Sequence, residues 1–231
     1  MLDRLEKDLE ILSDPEKAKI LSRFFKTGKG QYGEGDVFLG IVVPKQRLVA
    51  KKYAGLQLTD IGRLLASKIH EHRLVALLIL AGKYKQAHAE GRGEIVDFYL
   101  KHTRHINNWD LVDLSAPNIL GEHLSDKGRT VLYRFARSKN LWERRIAIIS
   151  TFSFIRKNDF EDTLRISEIL LHDDHDLIHK AVGWMLREVG KRDTGVEEEF
   201  LKGHHKVMPR TMLRYAIEKF DEEKRRFYLA K

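Results

Sequence analysis

DLIHKAVGWMLREV, residues 176–189, carries the pattern on which the fold reading turns. Its apolar residues Ile178, Val182, Met185, Leu186 and Val189 fall at i, i+4, i+7, i+8 and i+11, the spacing of one face of an α-helix. A basic start followed by an early small residue returns in RRIAIIS (144–150) and RYAIEKF (214–220). The alanines of the three segments, Ala147, Ala181 and Ala216, are 34 and 35 positions apart. Stepping back 71 positions from Ala147 reaches Ala76 in RLVALLI, with NNWDLVD near Leu111 in the repeat between. A helix-pair period of about 35 to 40 residues marks a HEAT-like solenoid. The sequence therefore predicts an all-α fold, a right-handed solenoid of HEAT-like repeats with a concave basic face, in one domain over residues 1–231.

The boundary signals agree. Asp14-Pro15 reads as an N-cap followed by a first-turn proline, and Pro44, Pro117 and Pro209 also stand where helices can begin. Thr59 and Asn108 are further cap candidates, and Gly55, Gly121 and Gly203 follow expected helix ends. A single helix is expected from Trp142 to Ile155. The one strand-like run, Val37 to Val43, is interrupted by Gly40, closed by Pro44 and has no second run to pair with. It reads as an ordered connection between helices.

Composition narrows the function. With 42% hydrophobic residues the chain can bury a substantial core. It has no cysteine, which excludes disulfides, thiolate metal sites and cysteine nucleophiles and fits a reducing cytoplasm. The start, MLDRLEKDLEIL, is acidic and amphipathic, unlike a signal peptide, and the apolar run Leu74–Ala81 is too short to span a bilayer. The expectations are a cytoplasmic protein and no membrane partner. A net charge of +8 favours a polyanion, chiefly nucleic acid, as partner.

Three segments could carry chemistry. In HINNWDLVDLSAP (105–117), a helix capped by Asn108 puts Trp109 and Asp113 at i and i+4 on one face, with Leu111 and Leu114 pointing elsewhere. The nearby helix start favours an ionised carboxylate. The alternative is a core tryptophan and a capping aspartate. In LWERRIAIIS (141–150), Arg144 and Arg145 open an apolar helix, where each could hold a phosphate or close a salt bridge. In HKAVGWMLREVGKR (179–192), Trp184 lies off its helix's core stripe, as a contact surface or as packing for the next repeat, and Gly183 allows close approach. His102 and His105 lack an acid at ligand spacing, and HDDHD (172–176) reads as a loop with a cap, so no metal is expected. No phosphate-binding glycine loop, GxSxG elbow or HExxH occurs.

WDLVD, WERR, KAVGWMLREVGK and the FLGI run followed by Pro44, taken in order, resemble the AlkD family of DNA alkylation-repair glycosylases over nearly the whole chain. The resemblance implies HEAT-like repeats and release of N3- and N7-alkylated purines, such as 3-methyladenine and 7-methylguanine, from double-stranded DNA without metal or organic cofactor. It implies that Asp113 is the catalytic aspartate, flanked by Trp109 and Trp184. Arg145 would be the phosphate-contacting arginine, with Arg144 beside it. Tyr32 is carried over as the DNA-facing tyrosine of the N-terminal loop, although QYGEGDV differs in length from the family's loop. No lyase step is expected, and a monomer is. The competing readings are a HEAT-type protein that grips DNA without cutting a bond and a protein–protein scaffold.

Overall fold

Local chemistry sets several of the helix starts. Asp14 Oδ1 accepts from the Lys17 amide at 3.1 Å, so the helix that Pro15 begins is capped as its sequence requires. The structure, a computed structural model, describes residues 1–230. The described residues are helical, with no strand and only one isolated β-bridge, Val37 to Ile69. They form two compact units, Met1–Ile119 and Leu120 onward.

The first unit holds α1 (Leu2–Ile11), α2 (Pro15–Phe24), α3 (Val43–Lys52), α4 (Leu58–Leu65), α5 (His70–Gln86), α6 (Ala89–Lys101) and α7 (Trp109–Ser115). At its centre is α5, which packs on α3, α4, α6 and α7 and buries residues 70–77 without interruption. A helix enclosed on so many sides shows no single apolar stripe.

The run 37–43 is the ordered connection that the sequence suggests, and the structure shows what orders it. The carboxylate of Glu71, in the first turn of α5, accepts from the amides of Leu39, Gly40 and Ile41 at 2.9, 2.8 and 3.1 Å. The Leu39 carbonyl accepts from the Asp14 amide at 2.8 Å. Gly40 has φ of +86°, and a Cβ there would stand 2.1 Å from the Asp14 carbonyl oxygen. Only glycine allows this approach of the connection to α2.

The second unit holds α8 (Thr130–Ala136), α9 (Leu141–Ser150), α10 (Phe152–Ile155), α11 (Glu161–Ile169), α12 (Asp176–Gly190), α13 (Thr194–His204), α14 (Arg210–Ala216) and α15 (Glu222–Leu229). The three repeated segments are α9, α12 and α14, and α12 packs on both of the others. Ala147, Ala181 and Ala216 are fully buried, as is the whole predicted stripe of α12. Gly183 is where α14 comes closest, since a Cβ there would lie 2.4 Å from the Met212 carbonyl oxygen.

Four boundaries differ from expectation, the first being Gly121, which lies inside the helical run 117–123 rather than beyond a helix end. Thr59 is not a cap, because α4 already begins at Leu58, after Gln57. Gly203 lies inside α13 rather than beyond it. The run expected as one helix from Trp142 breaks at Thr151, whose amide and hydroxyl both donate to the Ile148 carbonyl at 3.2 and 2.7 Å. That tightens the turn, and α10 starts afresh at Phe152.

Candidate active site

Helix α7 is short, and its first turn is fixed from outside. Asn108 is fully buried and accepts from the Trp109 amide through Oδ1 at 2.9 Å, so it is the cap. The helical register then sets Trp109 and Asp113 one turn apart, both half-buried. Both line a cavity of about 550 Å³ in the first unit. Its other walls are mostly apolar, from Ile20, Leu21 and Phe24 of α2, through Phe38 and Ile41, to Leu74 of α5. Leu111 packs into the core as expected, but Leu114 faces this cavity instead of pointing away from the aspartate.

Aromatic rings from α2 and the residue after it surround the indole. Phe25 lies nearly parallel to Trp109, with ring centres 5.2 Å apart and planes 16° from parallel, and Phe24 meets it edge-on at 6.0 Å. Phe24 is 61% exposed. Tyr32, carried over as the N-terminal aromatic, sits in the glycine-rich turn and does not line the cavity; Phe24 does. Phe24 was not singled out in the sequence, although the FF pair at 24–25, which closes α2, marks it.

Behind α7 lies a buried polar cluster that the sequence reading missed. His70 Nε2 is 2.8 Å from Asp110 Oδ2, and its Nδ1 is 3.4 Å from Asp36 Oδ2. Arg73 pairs with Asp36 at 2.7 Å and donates to the Ser67 carbonyl at 2.8 Å. Asn108 donates to Asp36 at 3.3 Å. Burial alone would lower the His70 pKa, but Asp110 and Asp36 outweigh it and push it up to about 9. Asp36 is held below the usual carboxylate range, its burial offset by His70 and Arg73. The available signal was HEHR (70–73), four polar residues opening the most apolar run of the chain.

In the second unit, Trp184 is half-buried, donates from Nε1 to Glu188 at 3.1 Å and lies 5.9 Å from Phe152. It stands off the core stripe as expected. Arg145 is only 5% exposed and donates to the Leu177 carbonyl at 2.6 Å, so it bridges α9 to the start of α12. A phosphate contact there has to come from a largely enclosed guanidinium. Arg144 closes a salt bridge, one of the two roles its position allows. It pairs with the buried Asp173 carboxylate at 2.6 Å and donates to the carbonyls of Ser138 and Lys139 at 3.0 and 3.1 Å. These contacts tie it to the α11–α12 loop. HDDHD is that loop, with His175 capping α12 through Nδ1 at 3.1 Å. Among the described residues no His, Asp and Glu group could hold a metal ion, and no helix is long and apolar enough to cross a membrane.

Comparison with known proteins points one way. The family model described as DNA alkylation repair enzyme matches residues 5–220. Three solved structures share the fold. A "predicted DNA alkylation repair enzyme" from Enterococcus faecalis is 18% identical with a TM-score of 0.71, over 91% of this chain and 97% of that one. AlkD2 from Streptococcus mutans is 19% identical with a TM-score of 0.56, over 96% and 97%. The smu.31 protein of Streptococcus mutans UA159 is 18% identical with a TM-score of 0.54, over 95% and 98%. A search of curated proteins gives no match.

Proposed function

Since the chain belongs to the DNA alkylation repair enzyme family, we propose that it is a DNA glycosylase hydrolysing the N-glycosidic bond of positively charged N3- and N7-alkylated purines in duplex DNA. The observation that carries this is the pairing of Asp113 with Trp109, one turn apart on α7 and facing one cavity with largely apolar walls. Apolar walls leave a carboxylate's field less screened than open water does.

The chemistry fits that pair. Alkylation gives the base a positive charge and makes it a good leaving group without a strong general acid. As the C1′–N bond breaks, the bonding pair leaves with the base and positive charge develops on the deoxyribose. Asp113 stabilises that charge and positions the water that attacks C1′. Trp109 offers its π-face to the cationic sugar. Trp184 and Arg145 are carried from the family resemblance as a second indole and a phosphate contact. The HEAT-like solenoid, its concave basic face and the monomeric state belong to the same proposal. Lesion choice then rests largely on the lability of the alkylated base.

A second reading, DNA binding without bond cleavage, draws on the Phe25 ring that already covers one face of Trp109. One assay separates the two. Duplex DNA bearing 7-methylguanine is incubated with the protein and released base is measured. The glycosylase reading expects release by wild type and a loss of roughly 100-fold or more in Asp113→Asn with duplex binding retained. Salt-sensitive binding with no release establishes the binding module instead.

A further inference from the structure

We propose that His70 is a positioning residue for the reaction, holding the Asp113 helix through Asp110 and the Trp109 indole through Phe25. The proposal rests on the reading of Asp113 as the carboxylate that acts on the sugar.

Two separate contacts run from this imidazole toward α7. The first is polar. With seven residues α7 is too short to hold its own shape. Its flanking Asn108 and second residue Asp110 both anchor on the cluster around His70: Asp110 on Nε2 at 2.8 Å, and Asn108 on Asp36, the partner of Nδ1. Asp113 stands one turn further along the same helix. The second contact is aromatic. Phe38 stacks on the imidazole at 4.6 Å, Phe25 leans on it at 5.0 Å, and Phe25 in turn stacks on Trp109 at 5.2 Å. His70 is 2% exposed and lines the same cavity as Asp113 and Trp109.

The two carboxylates beside the ring favour the charged imidazole. Nε2 donates to Asp110, while Nδ1 lies 3.4 Å from the Asp36 carboxylate and 3.5 Å from the Arg73 guanidinium, so the hydrogen on Nδ1 is the one that titrates. The charged groups facing His70 are Asp36 from the connection, Asp110 from α7 and Arg73 from α5 itself, two of each sign once His70 is counted. Neighbouring Glu71 is turned to the amides of residues 39–41. Loss of the proton leaves one buried negative charge without a counterpart and weakens the hold of the cluster on Asp36 and, through it, on Asn108 at the start of α7.

The test is single-turnover release of 7-methylguanine from duplex DNA between about pH 6 and 10, corrected for spontaneous loss. It is paired with duplex affinity and with ¹⁹F NMR of DNA-free protein carrying 5-fluorotryptophan. His70→Gln keeps polarity without charge and is expected to lose roughly 10- to 100-fold in rate with duplex affinity unchanged. His70→Arg supplies a permanent cation and is expected to recover rate. Wild-type rate and the Trp109 resonance should titrate together near pH 9, and neither should do so in His70→Arg. A wild-type rate in His70→Gln overturns the proposal, as does loss of rate and affinity in equal proportion. Should His70→Gln fail to fold, the pH profile of His70→Arg decides, and a profile identical to wild type overturns it. If wild type releases no base at any pH, the glycosylase reading fails. The Trp109 resonance then decides for His70, supporting it by a transition near pH 9 that the Arg variant lacks and overturning it by none.

Discussion

The carboxylate of Glu71 and the amide of Gly40 are 2.8 Å apart, and through this bond the first turn of α5 holds a connection that pairs with its neighbour only at the single bridge from Val37 to Ile69. Glu71 is fully buried and accepts from two further amides, so neither oxygen can be replaced by a donor. Glu71→Gln would turn an NH₂ against at least one amide. Its expected cost is about 2–3 kcal/mol, and urea unfolding measures it.

Gly40→Ala tests the same feature from the other side. Both the positive φ and the approach of backbone atoms of Asp14 and Ala18 oppose a Cβ, and neither neighbour is a side chain that can swing away. A loss of about 3 kcal/mol or more is expected. Gly82→Ala serves as the control, because a Cβ there meets nothing within 4 Å.

Arg144→Ala separates a fold role from a phosphate role. Removing the guanidinium leaves the 7%-exposed Asp173 side chain without its cation, which is expected to cost roughly 3 kcal/mol. The dependence of duplex affinity on salt should keep its slope, whereas removal of a phosphate contact lowers that slope by about one.

Glu197 links stability to pH. It is 2% exposed on α13, and burial, aided by Glu198, raises its pKa to about 8 from 4.5. A folded value above the unfolded one means that the protonated form is favoured by folding. Its contribution is full below about pH 4.5 and is lost as pH rises to about 8. Glu197→Gln should therefore raise the melting temperature at pH 8.5 and leave it nearly unchanged at pH 4, by calorimetry. His70 acts in the same direction in a higher window, from 6.5 to about 9, so its contribution remains in the Glu197 variant.

Phe24 and Phe25 are neighbours with opposite roles. Phe25 is buried among Phe38, His70 and Trp109, and Phe25→Ala should cost about 3–4 kcal/mol. Exposed Phe24 should cost within about 0.5 kcal/mol on truncation to Ala, yet lower base release. Unfolding curves and the release assay together check both.

Much of this architecture was legible in the residues. The stripe on α12, the recurring buried alanines, the Asp14 and Asn108 caps and the pairing of Trp109 with Asp113 all follow from helical spacing and cap chemistry, which act over a few residues. What escaped depends on contacts across long separations. Asp36 meets Asn108 72 positions away, and His70 meets Asp110 at 40. No local pattern announces such partners, although the polar run at 70–73 hinted that something buried needed charge. Arg144 and Arg145 look alike in sequence, and only the placement of Asp173 and Leu177 tells them apart.

The clasp on residues 39–41 divides the segment between α2 and α3 into two stretches that should drift differently over evolutionary time. From Lys26 to Gly35 the backbone closes turns within the segment and onto α2, rich in glycine, and an insertion or deletion there is expected to disturb little beyond itself. From Val37 to Ile41 the segment is registered against the start of α5, so a single added residue would slide phenylalanine, glycine and the following proline out of place together. Relatives of this chain should accordingly vary in length before Asp36 and hold their spacing strictly after it.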